Sequence, residues 1–93
     1  MAIKTFKHKG LRKFFETGSK AKITVSHAKI LGLILDRLDA AYEVQDMNYP
    51  GSEFHPLKDY KKGFFAISVS GNWRVIFRFE RHYAYDVDFL DYH

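Results

Sequence analysis

Apolar residues recur along the chain with two different periods. Leu11, Phe14 and Phe15 stand at i, i+3 and i+4 within the segment from Lys7 to Glu16. That spacing predicts a short helix with one apolar stripe, and Gly18 supplies a C-terminal stop. Farther on, Ile30, Ile34, Leu38 and Ala41 run down one face, with Leu31, Leu35 and Tyr42 beside them. They predict a second helix that reaches Tyr42 or Glu43. Ser26 is its expected N-cap, and Val25 and Ile30 are placed for a hydrophobic staple. Gly32 weakens this helix by about 1 kcal/mol relative to alanine.

Ile3-Lys4-Thr5-Phe6 reads as a short first strand. In Asn48-Tyr49-Pro50-Gly51, Pro and Gly suit the two central positions of a type II turn. Beyond this turn the period becomes two. Phe65, Ile67 and Val69 alternate with Phe64, Ala66 and Ser68. Trp73, Val75, Phe77 and Phe79 alternate with Arg74, Ile76, Arg78 and Glu80. Tyr85, Val87 and Phe89 alternate with Asp86, Asp88 and Leu90. Gly71-Asn72 and the stretch from Glu80 to His82 are the reversals. The order is β-α-α-β-β-β, an α+β fold in which a two-helix hairpin covers one face of an antiparallel sheet. Arg74, Arg78, Asp86 and Asp88 are expected on the opposite, partly wet face, with Arg–Asp pairs crossing the strands. Arg74, nearest the Gly71-Asn72 turn, is the arginine left over for other work.

Ninety-three residues without repeat or linker form one domain, residues 1–93. With 46% hydrophobic residues, the chain has enough apolar surface for a core. It has no cysteine, which excludes disulfides and thiolate zinc sites and fits a reducing, cytoplasmic setting. No signal peptide or membrane span is expected, because the apolar run from Ile30 to Leu38 is short and broken by Asp36 and Arg37.

The net charge of +4 is unevenly distributed. Residues 1–22 hold seven Lys or Arg against Glu16 alone. Residues 58–82 hold six against Asp59 and Glu80, whereas residues 83–93 hold three Asp and no Lys or Arg. Such clustering favours a polyanionic partner, since each neutralised phosphate releases counterions. An acidic protein would be drawn by the same field.

The histidines at 8, 27, 55, 82 and 93 show no metal-binding spacing. No metal or other cofactor is therefore expected. Three segments carry candidate chemistry: His55-Pro56-Leu57-Lys58, Asn72-Trp73-Arg74 and the terminal Asp91-Tyr92-His93. Taken singly, His55, Lys58 and Arg74 also read as surface residues, Trp73 as a core aromatic and the last segment as a frayed end. Together they offer imidazole, ammonium, guanidinium and phenol groups with few acids between them. That set suits RNA cleavage without a metal, in which the 2′-hydroxyl attacks its own phosphate. A planar guanidinium matches the phosphate oxygens. DNA, lacking that hydroxyl, would be spared.

These three segments, with Ile3-Lys4-Thr5-Phe6-Lys7-His8-Lys9-Gly10-Leu11 and Leu38-Asp39-Ala40-Ala41, resemble the HigB-like toxins of the RelE/ParE toxin–antitoxin superfamily. The resemblance spans nearly the whole chain. It implies a RelE-like fold and a ribosome-dependent mRNA interferase that cuts the codon presented in the ribosomal A site. It also implies a cognate helix-turn-helix antitoxin, expected to dock on exposed basic and apolar surface of the first helix or the sheet. The family's active-site positions fall on His55, Lys58, Arg74, Tyr92 and His93. Lys7, Lys9, Arg12, Lys13, Lys20, Lys22, Lys61 and Lys62 are the corresponding RNA- and ribosome-binding candidates. A gyrase-directed or non-catalytic toxin of the same superfamily is the alternative.

Overall fold

The computed structural model describes residues 1–58 and 62–92. Helix α1 (Lys9–Thr17) is followed by a 3-10 turn at Val25–His27, helix α2 (Ala28–Ala40) and a second 3-10 turn at Val44–Met47. Strands β1 (His55–Pro56), β2 (Phe64–Ser70), β3 (Trp73–Glu80) and β4 (Tyr83–Asp91) then form an antiparallel sheet in sequence order. Two helices and one antiparallel sheet make the expected α+β fold.

Both helices contribute to the core on one face of this sheet. Leu11 from α1 and Leu31, Ile34, Leu35 and Leu38 from α2 pack with Ile67, Val75, Phe77, Val87 and Phe89. Leu11, Leu35, Leu38 and Phe77 are completely buried. Burying one such side chain contributes roughly 1.5–3 kcal/mol, so the stripe on each helix is enough to hold it to the sheet.

The helix ends differ in how they are capped. The His8 Nδ1 accepts the Leu11 N–H at 2.9 Å and caps α1, and Gly18 closes it at φ 79°, its N–H donating to the Phe14 carbonyl. Ser26 does not cap α2. The chain enters that helix through the 3-10 turn, which leaves Ser26 exposed and drives His27 inward. The His27 ring is buried against Trp73 and Phe89, 5.6 and 5.7 Å between centroids. Its aromatic contacts fix the entry of the helix, whereas no side-chain cap does. The expected staple is also missing, because Val25 is 78% and Ile30 37% exposed. Helix α2 stops at Ala40, where Ala41 turns extended (ψ 136°). Asp46 Oδ2 then accepts the Tyr42 and Glu43 N–H groups, at 2.9 and 3.0 Å, and starts the second 3-10 turn.

The type II turn forms as expected, with Gly51 at φ 89° and the Ser52 N–H donating to the Tyr49 carbonyl. The first strand is only partly realised. Ile3 and Phe6 make two isolated parallel bridges to Ala84 and Val87 on the edge of β4. Between them β4 bulges, with Asp86 at φ 55°. The Asp86 N–H is taken by Thr5 Oγ1 at 2.8 Å, so the bulged donor stays satisfied while the regular ladder is interrupted.

The bulge also corrects the alternation expected for β4. Because side-chain direction has a period of two, one extra residue reverses the faces. Tyr85 therefore pairs with Arg78 on the face away from the helices, while Val87 and Phe89 face the core. Arg78 lies 4.6 Å over the Tyr85 ring and pairs with Glu80 and, at 3.6 Å, with Asp86.

Gly10 sits where the chain folds back over α1. A Cβ there would overlap the Lys22 Cβ and lie 2.9 Å from its Cγ. Gly10→Ala is expected to lower stability by about 1–3 kcal/mol through overpacking, against the gain in helix propensity. Urea unfolding checks this: an unchanged or raised midpoint would show that Lys22 yields freely. The backbone N–H bonds to Asp46 hold its carboxyl below the usual aspartate value of about 3.9. Its stabilising contribution is present above that value and lost as pH falls through the depressed one. Asp46→Asn should therefore cost stability at neutral pH and flatten the acid limb of a pH–stability profile.

Candidate functional site on the open sheet face

The register of the sheet places several predicted site residues on the face away from the helices. His55 stands opposite Ala66, Ala66 opposite Ile76, and Ile76 opposite Asp88. The neighbouring row runs from Ser68 through Arg74 to Leu90. This face is less wet than its alternation suggested. Leu57, Phe64, Ala66 and Ile76 form a second buried apolar cluster, with Leu90 and Tyr92 packed on it. The result is an apolar and aromatic platform bordered by an imidazole and a guanidinium.

Each of these groups is held by its local chain. Pro56 confines His55 to extended backbone, and its missing N–H is tolerated because β1 is an edge strand. The His55 Nδ1 lies 2.9 Å from the Glu53 carbonyl oxygen. A carbonyl only accepts, so Nδ1 is the donor, and the neutral ring presents its Nε2 lone pair outward. Glu53 reaches this position with φ 50°. The exposed Lys58 follows the buried Leu57, whose N–H donates to the Phe64 carbonyl at 2.9 Å.

Arg74 is anchored at the hairpin. One guanidinium nitrogen donates to the Gly71 carbonyl at 2.6 Å and to the Trp73 carbonyl at 3.0 Å. As expected of the arginine nearest the turn, Arg74 makes no ion pair with Asp86 or Asp88, and Arg78 takes Asp86. The Asp88 carboxylate instead accepts the Phe89 N–H at 2.9 Å. The remaining donors of the Arg74 fork are thus oriented by the turn, and no acid among the described residues forms an ion pair with them.

The chain end is held to the same hairpin. The Tyr92 N–H donates to the Asn72 carbonyl at 2.8 Å, which extends β4 past Asp91 and lays the Tyr92 ring on the apolar cluster. The predicted site residues His55, Arg74 and Tyr92 thus share one face, with Lys58 beside it. His93 and Lys61 lie outside the described residues.

The basic candidates Lys7, Lys9, Arg12, Lys13, Lys20, Lys22 and Lys62 are all exposed. Arg12 pairs with Glu16 at 3.2 Å. Those from Lys7 to Lys22 belong to the helical layer and not to the open face. The N-terminus of α1 nevertheless starts near the same end of the sheet, because the Lys7 N–H bonds the Val87 carbonyl and His8 packs on Phe89, 6.1 Å between centroids. The apolar platform itself escaped sequence reasoning. Its signal was present in Leu57, Phe64, Ala66, Ile76 and Leu90, which all fall on the nominally wet positions.

The four described histidines have separate duties. His8 caps α1, His27 is core, His55 borders the platform, and His82 stacks on Tyr42 at 3.8 Å. No helix among the described residues is long and apolar enough to cross a membrane.

Comparison with known proteins agrees with this α+β fold. The family model described as the RelE-like toxin of the type II toxin–antitoxin system HigB matches residues 4–93. Endoribonuclease HigB of Proteus vulgaris is 36% identical over 91 residues, covering 98% of this chain and 99% of that protein. The chain therefore belongs to the HigB-like family of type II toxin–antitoxin toxins.

Proposed function

We propose that this chain is an endoribonuclease and that the open sheet face is its active site, acting on mRNA in the ribosomal A site. The observation that carries this reading is the placement of His55, Arg74 and Tyr92 around one apolar platform by the register of β1, β3 and β4. The printed name of the Proteus relative supports the ribonuclease activity.

The chemistry follows from the groups present. The 2′-oxygen of one nucleotide attacks the adjacent phosphorus, and the bond from phosphorus to the 5′-oxygen breaks. The products are a 2′,3′-cyclic phosphate and a 5′-hydroxyl. The attacking hydroxyl must lose a proton, and the leaving oxygen must gain one. His55, through its outward Nε2, and His93 are the groups for these transfers. Arg74 faces the charge that builds on the phosphorane oxygens, where a preorganised donor contributes most. Lys58 adds positive charge beside it. The Tyr92 ring offers a stacking surface for a base. The nucleophile is supplied by the RNA, so this route calls for acid–base groups and cations from the protein and no metal ion.

The exposed Lys7, Lys9, Arg12, Lys13, Lys20, Lys22 and Lys62, together with Lys61, would hold ribosomal RNA and message by phosphate contacts. A cognate antitoxin of the helix-turn-helix type, encoded as the toxin's partner, would silence this one-domain enzyme in the cytoplasm.

Primer extension on a translated reporter message tests the proposal. Cuts within codons are expected only when the message is translated. Arg74→Ala should reduce them by about 10²–10³-fold, the usual loss for a missing transition-state donor, while far-UV circular dichroism stays unchanged. Deleting His93 should also abolish them. Growth arrest without RNA cuts, with or without DNA breaks, would sink the assignment in favour of a gyrase-directed or non-catalytic toxin.

Tyr92 allows a finer test. If it acts by stacking, Tyr92→Phe should keep most activity, whereas Tyr92→Ala should lose about 1–3 kcal/mol of base stacking. Equal loss in both would assign the role to the hydroxyl.

A further inference from the structure

The outer surface of α2 has features that the monomer does not use. A shallow groove of about 760 Å³ runs along it, lined by Ser26, Ala28, Lys29, Gly32, Leu33 and Asp36 among others. Leu33 is 53% exposed at its centre, and the exposed Val25 and Ile30 flank it. Lys29, Gly32, Leu33 and Asp36 stand at i, i+3, i+4 and i+7, which places them on one straight stripe of the helix. Among the described residues, neither Lys29 nor Asp36 forms an ion pair.

Among the described residues, nothing inside the monomer requires glycine at position 32. A Cβ there would meet only the Phe14 Cζ at 4.0 Å, an ordinary contact. Glycine still costs this helix about 1 kcal/mol. A small residue on an exposed helical stripe permits another backbone to come close.

The order of the four residues indicates which backbone. The pair Lys29/Asp36 and the pair Gly32/Leu33 share one midpoint. Under a two-fold axis through that midpoint, two antiparallel copies of α2 place each Lys29 opposite the other's Asp36. Each Leu33 then enters the gap over the other's Gly32. This is the self-complementarity of an isologous interface, with unlike charges at both ends and an apolar contact at the centre.

We infer that the Lys29–Gly32–Leu33–Asp36 stripe is a homodimer interface, in which a second copy of this chain packs its α2 antiparallel to the first. The dimer leaves both open sheet faces, with His55, Arg74 and Tyr92, pointing away from the seam. The inference stands independently of the catalytic reading.

Sedimentation velocity of the full chain across a dilution series tests it. The mass should move from one chain to two as concentration rises, and high salt should shift the transition upward. Lys29→Asp and Asp36→Lys each create two like-charge contacts and should weaken the dimer about tenfold or more. The combined variant, carrying both reversals, should restore it, because the charges are again opposite across the axis. Leu33→Glu should leave a folded monomer.

A monomer at every concentration would overturn the inference. So would a dimer that ignores the single reversals, or a combined variant no better than either single one. A chain that is monomeric alone but loses its co-purified antitoxin in Leu33→Glu would assign the stripe to the antitoxin instead.

Discussion

Strand β3 can pair in only one register, and the rest of the molecule is arranged around that constraint. Val75, Ile76 and Phe77 are all buried, although successive side chains point to opposite faces. A one-residue slip would send Phe77 out of the core and turn Arg74 and Arg78 into it. Burying a charged guanidinium without a partner is far costlier than losing any single strand pair. The hydrophobic core thus fixes the position of Arg74 on the open face, and through the pairings of β3 it also fixes Ala66, Leu90 and, one strand farther out, His55.

The two edges of the sheet are finished by different means. At the β2 edge, the two-residue β1 pairs with Phe65 and Ala66, and the Ser68 N–H donates to the Ser52 carbonyl at 2.9 Å. Pro56 stops this edge from recruiting a further strand. At the β4 edge, the N-terminal segment supplies the partners, including Thr5 for the bulged Asp86. The bulge re-aims Tyr85 and gives Arg78 its acidic and aromatic neighbours, while Arg74 is tied to the hairpin carbonyls. Trp73 and Phe89, 4.8 Å between centroids, then join that hairpin to His27 at the entry of α2 and, through Phe89, to His8 at the start of α1. Both helix starts are thereby held to the end of the sheet that carries Arg74 and Tyr92.

Much of this was legible beforehand, for identifiable reasons. The stripe of Leu11, Phe14 and Phe15 and the run of Leu31, Ile34, Leu35 and Leu38 are local patterns, and they mark the helices. Gly18, Gly51 and Gly71 mark their stops and turns because each adopts positive φ. The candidate site residues His55, Lys58, Arg74 and Tyr92 were singled out through the resemblance of their segments to a known family; the comparisons establish membership of that family. Ser26 failed as a cap for a reason outside its own chemistry. His27 finds two aromatic partners from distant strands, and the 3-10 turn that delivers it wins over a local hydrogen bond.

The chain itself thus determined the elements whose causes lie within a few residues: two amphipathic helices, a three-strand meander, their turns, and the uneven spread of positive charge. Tertiary structure decided what depends on contacts between distant segments. It set the bulge that reverses the faces of β4, the burial of His27 and the apolar platform beneath Tyr92. Periodicity reports which faces a segment can present. Only packing and strand register determine what each face meets.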